Sequence, residues 1–547
     1  MARMLLHRAA PRSPARRRLL QGVSGACALA LVRPSRSGES APAEPVCGNG
    51  SRVQTLYQPG TSGYLGRIEA GSGALVLRAG PTGALPAGIE HGRLAFASER
   101  NGATFVNPTL VVRRGELLRV TLDNALDAAT SVHWHGLTVD TANDGAGMPL
   151  VEPGRRYEYA FEVRNRGALY WYHPHPHGLT AGQVHDGLYG LLDVEDDDTI
   201  ALRRELDLVP GGSELVLVLR DSAQRYERTP AQAIHGVYGD ALFVNGTRCA
   251  QTDVATRLYR LRVVNACNAR TLLLGLRTAS GAAVPFDVIG NDGGLLPAAV
   301  RTRAAFLGTA ERLDLLVDLR DAAIGDAIVL ETRAFDPMHA EIAVPKDDPD
   351  AAHAHQATEA VADAHAAHGV SSWPEGAPRD ILQLRVRTRV GYDRRVPARL
   401  STPEAIDVAN AQERPLRLGY KSGHWRINDR VFAMDETPIE VTRDSTEVWL
   451  LRNYFTSMPH AMHLHGFSFE VLERETSPDQ VKALAIDARS RLPSDLGRKD
   501  TVLVRPGESV RVALRFALPF AGPQTYPFHC HNLEHEDDGM MLGVRVA

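Results

Sequence analysis

Near its end the 547-residue chain reads Tyr526-Pro-Phe-His-Cys-His-Asn-Leu-Glu-His-Glu-Asp-Asp-Gly-Met-Met541. Successive side chains of an extended segment point to opposite faces, so Cys530 faces away from the histidine on either side of it. A thiolate, an imidazole and a weak axial thioether are the ligands of a blue-copper electron-transfer site, and Cys530, His535 and Met540 supply this set. The opposite face carries His529 and His531, whose imidazoles suit a second metal centre. The stretch therefore predicts two redox sites back to back, because a merely buried cysteine would leave the spacing of His535 and Met540 unexplained.

The order of motifs before this stretch occurs twice in the chain. In each copy a predicted pair of strands precedes an HxH motif, and a Pro-Gly turn then opens a strand that leads to a second HxH motif. The first copy consists of residues 110–124, His133-Trp-His135, Pro153-Gly154 and His173-Pro-His175. The second copy consists of residues 438–453, His463-Leu-His465, Pro506-Gly507 and His529-Cys-His531. An internal repeat of this kind indicates a duplicated structural unit.

A weaker third copy lies between these two, with strand patterns at residues 259–265 and 312–318 but without an HxH pair. We therefore predict an all-β chain of three Greek-key cupredoxin-like β-sandwich domains, of which the first and third carry metal ligands. The predicted organisation is a signal peptide at residues 1–43, domain one at 44–200, domain two at 201–345, an Ala/His-rich linker or insert at 346–378 and domain three at 379–547.

The number of histidine pairs indicates what kind of second metal centre to expect. Each HxH motif puts two imidazoles on one face of an extended segment, so the four motifs supply eight imidazoles. A mononuclear zinc site needs three or four ligands, whereas eight suit a cluster of three coppers held between domains one and three. One HxH motif by itself would be an incidental surface pair. His460 lies three residues before His463 and is expected to face the opposite way, toward the site of Cys530.

The HCH motif, with a histidine four residues after it and Gly-Met a few residues further on, resembles the C-terminal copper signature of the multicopper oxidases, the laccase-like and cuprous-oxidase-like enzymes. The resemblance extends over most of the chain after about residue 100 and implies four copper ions. It implies that a type 2 copper is held by His133 and His463, a type 3 pair by His135, His173, His175, His465, His529 and His531, and a type 1 copper by His460, Cys530, His535 and Met540. His177 is not a ligand in the family, and we expect it to orient neighbouring residues.

Two acidic residues match positions that the family uses near the trinuclear cluster. Glu536 directly follows His535, and Asp144 follows His135 by nine residues. Reducing dioxygen to water needs protons, so we expect both acids to act as proton donors or hydrogen-bond partners. The alternative for each is a solvated turn carboxylate, and Asp144-Gly145 is a typical turn sequence.

The resemblance implies an enzyme in which single electrons from a reducing substrate enter at the type 1 copper. They pass through Cys530 to the trinuclear cluster, where dioxygen is reduced to water. Two other classes are a zinc hydrolase built on HxH motifs and a copper-storage protein. The usual hydrolase motif HxHxDH is absent from the sequence. In a zinc hydrolase, Cys530 would also have no function. The colour of the copper-loaded protein and its oxygen uptake distinguish an oxidase from a storage protein.

The region before domain three bears on the reducing substrate. The motifs at residues 173–178 and 535–543 resemble those of bacterial cuprous oxidases, in which a methionine-rich insert feeds Cu(I) to the type 1 copper. Here the insert is rich in alanine and histidine, with only Met338 at its edge; Thr456 replaces a frequent aspartate, although Met458 matches. Imidazole suits Cu(II) or Zn(II) better than Cu(I), and the tract can equally be a solvated linker. We therefore expect an open type 1 edge and laccase-like oxidation of phenolic donors, with oxidation of cuprous or other metal ions in copper tolerance as the alternative.

The N-terminus resembles an export signal. A run of arginines precedes a moderately apolar stretch at residues 19–32, which is too short to span a bilayer, and Ala41-Pro-Ala43 offers a cleavage site. Arg16-Arg17-Arg18-Leu19-Leu20 resembles a twin-arginine signal, which exports folded proteins. We expect an exported protein, periplasmic or secreted, and the alternative is a disordered basic tail.

Charge and cysteine content limit the partners. The formal net charge of −4 favours neither nucleic acid nor an anionic membrane surface, and we expect a monomer without a membrane span. Cys249 and Cys267 either form a disulfide bond or remain free thiols, which spacing alone does not decide.

Overall fold

Alternating burial marks the strands from which the protein is built. The strand Leu117–Asn124 buries Leu118, Val120 and Leu122 and turns most of the intervening side chains outward. The preceding strand, Thr109–Arg113, is buried along most of its length and lies in a different sheet of the same sandwich. The predicted pair of strands at residues 110–124 is confirmed, and the turn between them, at Gly115-Glu116, carries the chain from one sheet to the other.

The structure, a computed structural model, describes residues 53–146, 149–222, 226–338, 371–455 and 457–547. The predicted signal peptide at residues 1–43, most of the Ala/His-rich tract at 346–378 and Thr456 lie outside the described residues. All the described residues belong to one compact unit, Pro42–Ala547.

The described strands form six sheets, which pack in pairs around three apolar cores and thus make three β-sandwiches. The predicted all-β, cupredoxin-like fold is confirmed. In hydrogen-bonding order, one sheet of the first sandwich consists of Arg156–Glu162, Leu117–Asn124, Leu75–Pro81, Leu94–Arg100, Ala103–Val106 and Gly63–Tyr64. The other consists of Arg67–Glu69, Thr109–Arg113, Gly190–Glu195, Ala168–His173 and His133–His135.

The second sandwich takes strands from three parts of the chain. One sheet consists of Gln54–Thr55, Ala250–Ala255, Arg379–Thr388, Ala327–Thr332, Leu272–Thr278 and Ala283–Val284, with Ala304–Leu307 also pairing Leu272–Thr278. The other consists of Thr247–Arg248, Ala241–Val244, Glu214–Ser222, Leu258–Asn265, Arg312–Asp318, Phe286–Asn291 and Gly294–Thr302.

The predicted start of domain three at residue 379 is wrong. The strand Arg379–Thr388 pairs in parallel with Ala250–Ala255 and antiparallel with Ala327–Thr332, so it lies inside a sheet of the second sandwich. Its buried residues Leu382 and Leu384 belong to the core of that sandwich. Hydrogen bonding on both sides therefore ties this strand to the second sandwich and not to the third.

The third sandwich contains the stretch around Cys530. One sheet consists of His424–Ile427, Gln412–Lys421, Thr446–Asn453, Ser509–Arg515 and Phe469–Glu475. The other consists of Ile439–Val441, Met541–Val546, Gln524–Cys530, His460–Leu464 and Thr501–Val504. Cys530 and Met540 are both fully buried in the apolar core between these sheets.

Short helices connect the strands. The α-helices are Thr141–Asp144, Thr180–His185, Asp197–Glu205, Pro230–His235, Asp479–Lys482 and Leu533–Asp537, and the 3₁₀ helices are Ala70–Ser72 and Pro493–Asp495. Among the described residues, no helix has the length and apolar character needed to cross a membrane.

Cys249 and Cys267 differ in their bonding state. Cys249 is disulfide-bonded, whereas Cys267 is a buried free thiol. The two residues therefore do not pair with each other, and the alternative in which both remain free thiols is also wrong.

Candidate metal centres

The HxH motifs lie on strands that pair in the same way in the first and third sandwiches. In the first sandwich, His133–His135 runs antiparallel to Ala168–His173. In the third, His460–Leu464 runs antiparallel to Gln524–Cys530. Because side chains alternate along a strand, both histidines of a motif point to the same face, and each strand pair presents its imidazoles together.

The eight imidazoles of the four motifs form three groups of three, with His135 shared by two of them, and each group draws on both sandwiches. Within a group, one ligand atom from each ring lies within 4.8 Å of the others. The groups are His133, His135 and His463; His135, His173 and His531; and His175, His465 and His529. Each of these side chains is at most 2% exposed. The structure thus brings together all eight histidines that the sequence pointed to.

Hydrogen bonds fix which nitrogen of each ring in the first group is free. The Nδ1–H of His133 donates to the Asp144 carbonyl oxygen at 2.8 Å, and the Nδ1–H of His463 donates to the Asp500 carbonyl oxygen at 2.8 Å. The Nε2 atoms of both rings and the Nδ1 atom of His135 are buried without a hydrogen-bond partner. Unpaired buried lone pairs are costly, and a bound cation removes that cost. Three imidazole nitrogens are also a donor set that copper favours.

The other two groups bring lone pairs face to face. His465 Nε2 lies 3.0 Å from His529 Nε2, and His531 Nε2 lies 3.4 Å from His173 Nε2. The Nδ1 atoms of three of these rings contact oxygens: those of His173 and His529 contact backbone carbonyls, and that of His465 contacts a carboxylate oxygen of Asp144. A ring that carries its proton on Nδ1 has only a lone pair on Nε2. The short Nε2–Nε2 distances are therefore favourable when a cation lies between the rings. The residues present therefore fit a copper cluster.

The second centre lies on the other side of Cys530. Its Sγ atom is 3.5 Å from His460 Nδ1 and 3.6 Å from His535 Nδ1. Met540 donates its backbone N–H to the His535 carbonyl oxygen at 2.9 Å and accepts from the Cys530 N–H at 3.1 Å. All four side chains are fully buried. His460 thus faces the cysteine and away from His463, as its odd spacing indicates.

Burial sets the protonation of these ligands before a metal binds. It raises the pKa of the Cys530 thiol to about 12 and lowers the pKa of the His460 imidazole to about 3. At neutral pH the metal-free site is therefore a thiol beside a neutral imidazole. A bound cation stabilises the thiolate and displaces the thiol proton, so copper binding here releases a proton.

Both predicted acids lie against the histidine groups. A carboxylate oxygen of Asp144 is 2.9 Å from His465 Nδ1. The two carboxylate oxygens of Glu536 are 3.2 Å from His529 Nδ1 and 3.4 Å from His175 Nε2. Each acid is 1% exposed, which is incompatible with the alternative of a solvated turn carboxylate.

Sequence patterns did not indicate a further carboxylate at the cluster, Asp500. Its Oδ1 atom lies 3.1 Å from His135 Nε2, and its backbone carbonyl accepts from His463. Arg312, from the second sandwich, donates to Oδ1 at 2.9 Å and pairs with Oδ2 as well. The second sandwich, for which we predicted no metal ligands, thus contributes an arginine that binds Asp500, and Asp500 contacts two of the clustered histidines. The only local sign in the sequence is a charged pair, Lys499-Asp500, directly before an apolar strand.

The expectation of an open type 1 edge is wrong. His460 and His535 are both 0% exposed. The helix Pro230–His235 lies over them, and its Ile234 carbonyl accepts from His535 Nε2 at 2.8 Å. Trp425 packs against both rings, with centroid distances of 4.8 Å. Among the described residues, a helix and an aromatic side chain therefore cover the centre.

His177 differs from its neighbours in the same motif. It is exposed, its ring lies 5.1 Å from that of Phe432, and both line a cavity of 220 Å³ that reaches His175. Within the described residues we find no hydrogen bond from His177 to a ligand histidine. Its expected role in orienting neighbours is therefore not supported by its contacts.

Comparison with known proteins agrees with this geometry. The sequence profile of the family described as multicopper oxidase matches residues 99–199 and 401–547. The multicopper oxidase mco of Staphylococcus aureus is 26% identical over 453 residues, which are 81% of this chain and 82% of that protein. The laccase of Bacillus subtilis is 28% identical over 77% of this chain and 80% of its own length. The crystal structure of McoA multicopper oxidase from Aquifex aeolicus superposes with a TM-score of 0.76 at 29% identity, covering 91% of this chain and 100% of that one.

The chain belongs to the multicopper oxidases and is of the bacterial laccase-like kind. It is an oxidoreductase that uses dioxygen as acceptor, and its family implies four coppers: one type 1, one type 2 and a type 3 pair. The predicted family, enzyme class and cofactor are confirmed, whereas the identity of the electron donor stays a prediction.

Proposed function

We propose that the enzyme oxidises phenolic and related aromatic donors one electron at a time and passes the electrons to dioxygen. The observation that carries this proposal is the complete burial of His460 and His535. A donor outside this enclosure can deliver electrons but cannot supply a ligand atom to the type 1 copper. Phenols are donors of this kind, and the laccases among the relatives support the choice.

We assign the ligands to coppers as the family pattern implies. The type 2 copper takes His133 and His463, the type 3 pair takes His135, His173, His175, His465, His529 and His531, and the type 1 copper takes His460, Cys530 and His535 with Met540 as a weak axial ligand. The grouping of the imidazole nitrogens and the burial of Met540 beside Cys530 support this assignment.

Cys530 provides the connection between the two centres. Its Sγ faces His460 and His535, while its backbone is bonded directly to His529 and His531, which belong to different histidine groups. An electron that arrives at Sγ therefore reaches either group through a few covalent bonds. The coppers supply one-electron acceptance at one centre and reduction of dioxygen at the other. The chain supplies the path between them and buries the ligand side chains of both.

Replacing Glu536 by glutamine is expected to slow reduction of dioxygen by about 10²–10⁴-fold, the range for loss of a positioned general acid. The amide keeps the size of the side chain beside His529 and His175 but holds no proton that it can give up. Reduction of the type 1 copper by the donor should be nearly unchanged, because Glu536 does not contact Cys530 Sγ in the described contacts. Stopped-flow measurement of the two half-reactions separates these effects.

The matched control is Glu534→Gln on the same helix. Glu534 is equally buried, but it accepts from Asn268 at 2.8 Å rather than contacting an imidazole. Equal slowing of both half-reactions in Glu536→Gln, or the same slowing in Glu534→Gln, would refute a proton-donating role.

Oxidation of cuprous or other metal ions is the second candidate. It is favoured by the thioether of Met458, whose sulfur lies 3.4 Å from His235 Nδ1 next to the covered centre. Met458 is 2% exposed and Met338 is 7% exposed, so neither sulfur offers an open site for a metal ion in the described part of the chain. Because both thioethers are buried, we rank oxidation of metal ions below oxidation of phenols.

The two candidates differ in their need for added copper. We expect the full-length protein and a chain lacking residues 347–370 to oxidise a phenolic donor at similar rates without excess Cu(II). The assay follows phenol oxidation and oxygen uptake with and without Cu(II) in both proteins. If phenol oxidation is negligible without added copper and depends on residues 347–370, the enzyme is a metal oxidase and our order is reversed.

We also propose that the protein is exported to the periplasm or secreted. The arginine run and apolar stretch at the N-terminus support this location. Fractionation of cells that express the full chain, compared with cells that express Arg16→Lys/Arg17→Lys/Arg18→Lys, tests it, since the variant should stay in the cytoplasm.

A further inference from the structure

Trp425 is the aromatic side chain that lies directly against the type 1 ligands. It is fully buried, and its ring centroid is 4.8 Å from that of His460 and 4.8 Å from that of His535. Its Nε1–H donates to the Ile234 carbonyl oxygen at 2.7 Å, and His535 Nε2 donates to the same oxygen at 2.8 Å. The indole is therefore joined to His535 both by ring contact and by a shared hydrogen-bond acceptor.

Tyr420 continues this contact toward the surface. The strands Gln412–Lys421 and His424–Ile427 form a hairpin in which Tyr420 is the direct cross-strand partner of Trp425. The two ring centroids are 5.0 Å apart with an interplanar angle of 65°, an edge-to-face arrangement. Tyr420 is only partly buried, so one part of its ring reaches solvent. A continuous series of π systems thus extends from solvent to both type 1 imidazoles.

The hairpin turn keeps this pair in register. Ser422 and Gly423 adopt φ values of 52° and 84°, the left-handed conformation of both central residues in a two-residue type I′ turn. This turn fixes the pairing of the strands and therefore the contact between Tyr420 and Trp425. The neighbouring cover residue Ile234 is aliphatic and offers no π system.

We propose that Tyr420 and Trp425 form the route by which electrons from an external donor enter the type 1 centre. The proposal rests on the proposed function, in which the donor stays outside the enclosure. A phenol that contacts Tyr420 loses one electron and its hydroxyl proton and becomes a phenoxyl radical. The proton goes to solvent, and the electron tunnels across the two rings to the copper held by His460 and His535, which is the oxidant. Neither side chain needs to be oxidised, because the contacts provide electronic coupling between donor and acceptor.

The test is a photochemical measurement of a single electron transfer, without donor or dioxygen. A ruthenium photosensitiser is attached to a cysteine introduced as Lys421→Cys, an exposed position next to Tyr420. The two free cysteines of the described chain, Cys267 and Cys530, are buried and do not compete for the label. After a laser flash, the loss of blue absorbance gives the rate of electron transfer from the photoexcited ruthenium(II) label, which becomes ruthenium(III), to the type 1 copper.

We expect Tyr420→Leu and Trp425→Leu to slow this transfer by about tenfold or more. Tyr420→Phe keeps the ring and should transfer at nearly the parent rate. The blue absorption spectrum and the type 1 potential are measured in every variant, because a purely structural role would change these properties and not the transfer alone. Tyr420 touches no copper ligand in the described contacts, so its variants decide the question even where Trp425→Leu disturbs the site.

A parent-like transfer rate in Tyr420→Leu, with an unchanged spectrum, overturns the route. Failure of the proposed function has a different signature: the parent enzyme would not oxidise phenols, while flash-triggered transfer would still depend on Tyr420. A route that is correct for phenols also predicts slower anaerobic reduction of the type 1 copper by a phenol in Tyr420→Leu than in Tyr420→Phe.

Discussion

Cys530→Ser is expected to abolish the blue absorption and the oxidase activity of the copper-loaded protein while the trinuclear coppers stay bound. The Cys530 sulfur is the only thiol within reach of His460 and His535 among the described residues, at 3.5 and 3.6 Å. A serine hydroxyl gives up its proton far less readily than a thiol and is a hard ligand, so it does not replace the soft thiolate. It also removes the sulfur through which electrons reach His529 and His531.

The trinuclear coppers should survive because their ligands lie on the opposite face of the strand. Copper content and the optical and electron paramagnetic resonance spectra distinguish loss of one centre from loss of all. The control is Cys267→Ser, a buried free thiol that contacts the Asp221 backbone N–H at 3.2 Å and belongs to no metal group. Cys267→Ser should stay blue and active. Full oxidase activity in Cys530→Ser would contradict the whole assignment of the two centres.

The part of the site that lies on strands was predictable from sequence because strand geometry is local. Alternation alone separates Cys530 from His529 and His531, and an odd spacing separates His460 from His463. The structure places all five residues on the sides that this rule gives. The strands themselves follow from alternating apolar residues, as at Leu117–Asn124.

The parts that were missed depend on contacts between distant segments. Ile234 covers His535 across 301 residues of sequence, and Arg312 meets Asp500 across 188. No periodicity encodes such pairs, so the sequence suggested an open type 1 edge and a passive second domain. The strand Arg379–Thr388 was assigned to the wrong domain for the same reason, because its pattern shows that it is a strand but not which sheet it joins.

Among the contacts that the sequence did not predict, we expect those of Arg312 to have the largest effect on the trinuclear site. Its guanidinium is 2% exposed and binds both carboxylate oxygens of Asp500, while it also donates to the Ala310 carbonyl oxygen at 2.8 Å. Asp500 in turn contacts His135 and His463. Arg312 thereby connects the second sandwich to histidines of the first and third.

Arg312→Met is therefore expected to lower the affinity of the trinuclear site for copper, or its activity, by about 10–100-fold, as is usual when a residue that orients a metal ligand is lost. Removing one partner of a buried ion pair leaves the Asp500 carboxylate uncompensated, which costs about 3–5 kcal/mol of folding free energy. Arg312→Lys keeps the charge but not the two parallel hydrogen bonds, so we expect an intermediate effect. Copper content, the type 2 resonance signal and denaturant unfolding measure these changes.

The control for stability alone is Arg262→Met. Arg262 is also buried in the second sandwich and pairs with Asp193 at 2.7 Å, but it contacts no ligand histidine or Asp500 in the described contacts. This variant should lose stability to a similar extent and keep the type 2 signal and the copper content of the parent. If Arg312→Met and Arg262→Met change stability and copper binding alike, Arg312 only supports the fold. A loss of type 2 copper confined to Arg312→Met means that the second sandwich orients the trinuclear ligands through Asp500.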